Sequence, residues 1–140
     1  MSIITRVRKN NEGAAALEFA IVAPLFFLTI FTMIGYGIYL SANHAIQQIA
    51  ADAARTAVAG LSETERKSLA NTFIQSSTLD YAFINKNKLT IDVEDDVSNL
   101  NQFTVTIAYD SSELPIWKLF SFALPDEQIK RYATIRLGGI

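Results

Sequence analysis

The sequence predicts an α+β protein: a long N-terminal transmembrane and amphipathic α-helix, then a small head with one short helix and a three-stranded antiparallel sheet. Three observations predict it. Phe19 to Ser41 holds no charged side chain, about 23 residues or about 35 Å of helix, enough to cross a hydrocarbon core of roughly 30 Å. Ala42, Ile46, Ile49, Ala50, Ala53 and Ala57 then recur at three- and four-residue steps, the period of a helix face. Further on, Leu89-Ile91-Val93 and Phe103-Val105-Ile107-Tyr109 alternate with mostly polar neighbours, the period of half-buried strands.

Residues 1–13 form a basic leader, with Arg6, Arg8 and Lys9 against Glu12. Basic side chains directly before a spanning helix hold that end in the cytoplasm, which sends the C-terminal part outside. A cleaved secretory signal is a poorer reading. The apolar run is about twice the usual h-region of 7 to 15 residues, and Ser-Ala-Asn-His-Ala after it is a poor cleavage site. Within the run Phe19, Phe26, Phe27, Leu28, Phe31, Met33 and Ile34 surround the helix, as suits lipid or a helical bundle. Pro24 removes one backbone donor and is expected to bend the helix. Gly35 and Gly37 would let a second backbone approach closely.

The helix is expected to fill residues 14–60, spanning the membrane at about 19–41 and continuing as an amphipathic extension over 42–59. Gly60 closes it as a left-handed cap. The apolar face of the extension is mostly alanine, fit to pack closely on a sheet or on another helix. Residues 61–140 make the extracytoplasmic head. Ser62 and Glu65 have capping-box spacing and open a short helix to about Gln75, with Leu69, Ala70, Phe73 and Ile74 on one face. Strands are expected at Lys88 to Glu94, around Phe103 to Tyr109, and at Gln128 to Leu137, where Ile129, Ala133, Ile135 and Leu137 alternate loosely. A polar hairpin loop from Asp95 to Gln102 joins the first two. An apolar connection over 111–125 precedes the third.

Composition removes several functions. A chain of 140 residues is one small domain plus an anchor, and its net charge of −2 supplies no basic patch for nucleic acid. With no cysteine there are no disulfides and no thiolate chemistry. His44 lacks nearby co-ligands for a metal, Asp95-Asp96 beside Asp92 and Glu94 lacks the spacing of a calcium loop and reads as a solvated hairpin end, and Ser111-Ser112-Glu113 lacks a base. Trp117, Phe120 and Phe122 are expected in the core of the head. No catalytic residue, cofactor, metal or small-molecule substrate is predicted.

One short stretch carries a family likeness. Gly13-Ala14-Ala15-Ala16-Leu17-Glu18-Phe19 places a glutamate five residues beyond a glycine and an aromatic after it, which resembles the prepilin processing motif. Together with Pro24 and the later Ala53-Ala54-Arg55, it resembles the TadE-like pseudopilins, minor pilins of the tight-adherence (Tad/Flp) pilus. The likeness covers roughly residues 11 to 58. It implies that a membrane prepilin peptidase cuts between Gly13 and Ala14 and leaves the helix in place. Glu18 and Phe19 then serve recognition and assembly, Glu18 facing the new Ala14 amine of its own or a neighbouring subunit. The implied partners are that peptidase, other pilin or pseudopilin subunits, the pilus assembly platform and the bacterial inner membrane, with the head in the periplasm. A reading from another class is a bitopic membrane protein whose small outer domain senses or scaffolds.

Overall fold

The computed structural model describes residues 11–76, 81–99, 101–117 and 126–138. The leader residues Arg6, Arg8 and Lys9, and also Phe120, Phe122 and Pro125, lie outside the described residues. The chain divides into two compact units, Met1–Tyr36 and Gly37–Ile140.

Helix α1 runs from Asn11 to Ala57 with Pro24 inside it. In the second unit its residues 37–57 and the strands share one core. Ala42, Ile46, Ile49, Ala50, Ala53 and Ala57 have no exposed surface and cluster with Val93, Phe103, Val105, Ile107, Tyr109 and Ile129. The alanine face therefore meets a sheet. Small side chains let the helix settle close to the strands, and β-branched and aromatic residues of the sheet fill the volume between.

Gly60 is not the left-handed cap expected of it, since its φ is not positive. Its N–H donates to the Ala57 carbonyl at 3.0 Å, a tight turn that ends α1. The absence of a side chain serves another purpose: a Cβ here would stand 2.7 Å from the Arg66 backbone nitrogen and 2.8 Å from its Cγ. Close approach, not backbone conformation, requires the glycine.

Helix α2 spans Glu63–Gln75. Ser62 caps it as expected: the Glu65 N–H donates to Ser62 Oγ at 3.2 Å, while the Glu65 carboxylate reaches one residue past the cap to accept from the N–H of Leu61 at 2.9 Å. Ala70 and Ile74 are buried, Leu69 and Phe73 partly so. A short 3-10 turn, Lys86–Lys88, leads into the sheet. Just before it Phe83 takes φ of +69°, unusual for a side chain of its size. Its carbonyl accepts a 3.1 Å hydrogen bond from the Tyr109 hydroxyl, which ties this turn to the sheet.

Strands β1 (Leu89–Asp95), β2 (Gln102–Asp110) and β3 (Gln128–Arg136) pair antiparallel in the order β1-β2-β3. Ile91 opposes Ile107, and Val105 opposes both Val93 and Ala133. On β2 the apolar alternation is complete, with Phe103, Val105, Ile107 and Tyr109 all buried. In β3 the inward series is Ile129, Arg131, Ala133, Ile135, so an arginine occupies a core-facing position. Its Nη2 donates to the Asn43 side-chain carbonyl on α1.

The hairpin end is not simply solvated. Asp95 is held by Arg66, and Asp96 Oδ1 accepts from the Ser98 hydroxyl at 2.6 Å and the Ser98 N–H at 2.8 Å. Asp96 thus serves the loop and Asp95 a buried cation. Ser111 is likewise structural: buried, its hydroxyl donates to the Glu127 carbonyl at 2.5 Å.

Candidate functional site

The residues singled out from the motif all stand at the start of α1. Gly13 is helical, with open space where a Cβ would be. Ala14 and Glu18 are four residues apart, one helical turn, and so share a face. Both are exposed, and among the described residues Glu18 makes no ion pair. Phe19, next in sequence, is 70% exposed.

The helix beyond them presents apolar side chains outward all round, among them Ile21, Val22, Leu25 and Met33. No stripe is reserved for a core of this chain within its unit. Helical residues with no charge and no buried face need lipid or partner helices as their solvent. Polar groups inside the run are satisfied locally. Thr29 donates to the Leu25 carbonyl at 2.9 Å and Thr32 to that of Leu28 at 2.7 Å, so neither hydroxyl brings an unpaired proton into hydrocarbon. Pro24 leaves the carbonyl of Ala20 without its usual donor. Among the described residues this is the one helix long and apolar enough to cross a membrane. Its length and composition suggest a membrane anchor.

Toward the end of the uncharged run the helix carries Tyr39, whose ring meets Trp117 edge to face with centroids 6.4 Å apart. Trp117 is half-buried and its indole N–H has no acceptor among the described residues. His44 is exposed, and no cluster of three or more metal-ligating side chains occurs among the described residues. Sequence reasoning missed Asn43, Arg66 and Arg131. A signal existed for two of them. Asn43 interrupts an apolar helix face, and Arg131 interrupts the alternation of Ile129, Ala133 and Ile135.

Neither a curated protein nor a solved structure matches the chain. The family model for TadE-like proteins does match, over residues 13–55. That interval begins at Gly13, contains Glu18, Phe19 and Pro24, and stops two residues before α1 ends. The likeness drawn from the motif is thus upheld over this helix: the match is consistent with a TadE-like pilin of the Tad pilus.

Proposed function

We propose that this protein is a non-enzymatic minor pilin or pseudopilin that helps to assemble or initiate a Tad-type adhesion pilus. The observation that carries the proposal is the family match beginning at Gly13 on a helix whose large apolar side chains from Leu17 to Ile34 face outward. Residues 1–13 act as a cytoplasmic leader, 14–60 as the assembly helix, and 61–140 as a periplasmic head that selects partners.

Processing between Gly13 and Ala14 is chemically accessible. Small side chains at 13–16 leave the backbone open to an enzyme. The cut removes three basic residues and one acidic one and creates an α-amine on Ala14. That amine lies one turn from Glu18, within i,i+4 reach in its own chain, and is equally available to a neighbour. A charged residue at a bilayer centre costs about 2.5–3.5 kcal/mol, but at the lip of the apolar run Glu18 reaches water and costs less. Drawn into a bundle of helices, it needs an opposite charge. Glu18 then fixes register and partner, as single buried polar residues do in other helical seams. Phe19 supplies apolar contact beside it, and Pro24 a bend.

The test is the intact mass of the protein isolated from its native host. A mature chain beginning at Ala14, and a full-length one when the prepilin peptidase gene is deleted, is the expected result. A chain beginning at Met1 with the peptidase present overturns the processing step and favours an anchored sensing or scaffold protein.

A further inference from the structure

Arg131 is a half-buried guanidinium that pairs with no carboxylate among the described residues. Its Nη2 bonds the Asn43 amide oxygen and its Nη1 donates to the Lys130 carbonyl at 2.8 Å. Five N–H donors are present on the side chain, so several remain for a ligand. A cation drawn partly out of water onto the inner side of a sheet favours a counter-charge.

Beside it is a cleft of about 480 Å³ lined by Tyr39, Leu40, Asn43, His44, Gln47 and Arg131. Its walls carry a guanidinium, two amides, an imidazole and a phenol, and no carboxylate. The helical residues that form it straddle Ser41, where the uncharged run ends, the level at which headgroups stand if that run spans the bilayer. Tyr39 against Trp117 adds the aromatic pair favoured at such an interface.

We infer that this cleft binds the phosphate of a phospholipid headgroup in the outer face of the membrane, with Arg131 as its principal donor. The inference rests on the anchored reading of α1. A lipid fits better than a free anion: the volume exceeds what an inorganic phosphate fills, and Leu40 offers an apolar wall for the glycerol end of the molecule. Arg131 suits phosphate because its planar fork can present two parallel donors.

The full chain is extracted from its native membranes in dodecyl maltoside, and retained phospholipid is counted by native mass spectrometry. Wild type is expected to keep a bound phospholipid. Arg131→Gln is expected to weaken retention about tenfold or more, on the worth of a hydrogen bond to a charged group. Arg131→Lys retains part of it, and Lys130→Gln, an equal charge loss on the opposite face of β3, leaves it unchanged. Retention by Arg131→Gln equal to wild type, or an equal loss in Lys130→Gln, overturns the site. So does displacement by inorganic phosphate, which would assign the cleft to a free anion. Should Arg131→Gln not fold, His44→Leu on the exposed wall carries the same expectation, and unchanged retention there overturns the site. Wild type recovered in the soluble fraction overturns the anchored reading itself. An anchored wild type whose lipid retention ignores Arg131 overturns the headgroup site alone.

Discussion

Arg66 grips Asp95 with two parallel hydrogen bonds, 3.2 Å from Nε to Oδ1 and 2.6 Å from Nη2 to Oδ2. The same guanidinium donates from Nη1 to the Gly60 carbonyl at 3.0 Å and lies 5.2 Å from the centre of the Phe103 ring. At 5% exposure it is a buried cation with all three of its nitrogens hydrogen-bonded. Arg66→Ala leaves Asp95 and the Gly60 carbonyl without their partner and is expected to cost about 3 kcal/mol of stability. Denaturant melts of the intact protein in detergent measure it. In a double-mutant cycle Arg66 and Asp95 should couple by about 1–3 kcal/mol, and additive effects would reject the pairing.

Gly60→Ala places a methyl 2.7 Å from the Arg66 nitrogen, against backbone that cannot step aside. The expected loss is about 1–3 kcal/mol, the usual range for overpacking. A melting temperature unchanged from wild type would show that the turn relaxes freely.

Ala53 has no exposed surface and stands in the helix-to-sheet contact. Ala53→Leu forces the bulk of an isopropyl group into that contact and should destabilise the head by about 1–3 kcal/mol. Ala51→Leu, on a partly exposed position two residues away, is the control and should change stability by much less. Near-ultraviolet circular dichroism, sensitive to the aromatic core, follows both.

Acid should loosen the hairpin end. The Ser98 hydroxyl, then its backbone N–H, hold the Asp96 carboxyl below the ordinary carboxylate value, more than burial raises it. The folded pKa is therefore the lower one. Its contribution to stability is fully present above the unfolded value of about 4 and disappears as pH falls through the folded value. Asp96→Asn should flatten the fall in melting temperature below about pH 4, and an unaltered slope there would count against the loop.

Glu18→Ala should leave cleavage after Gly13 intact while surface pili fall severalfold. Immunoblots separate precursor from mature chain, and electron microscopy counts fibres. Unchanged piliation defeats the proposed pairing of Glu18 with the Ala14 amine.

Much of this fold could be read directly from the chain because neighbours in sequence settle it. The alternation of Phe103 to Tyr109, the helical spacing of Ala42 to Ala57, and the Ser62–Glu65 cap each act within a few residues, and each is realised. What escaped depends on distant partners. Asp95 looks solvated until Arg66, 29 residues earlier, is folded against it, and Arg131 looks misplaced until Asn43, 88 residues away, turns toward it. Gly60 was misread for the same reason: a terminal glycine after a helix suggests a left-handed cap, whereas here the demand comes from a side chain on the next helix. At the proposed processing site the motif itself was legible, since Gly13, Ala14 and Glu18 are local to one turn.

The clasp formed by Gly60, Arg66 and Asp95 also bears on how such heads can drift over evolutionary time. Lysine cannot stand in for Arg66, because a point charge cannot span a carbonyl and both carboxylate oxygens at once. Loss of Arg66 strands both Asp95 and the Gly60 carbonyl, loss of Asp95 leaves a buried cation unpaired, and a side chain at position 60 collides with Arg66, so the three should be kept or lost together. In relatives whose strands have diverged past comparison, that trio would still mark a head built to the same plan.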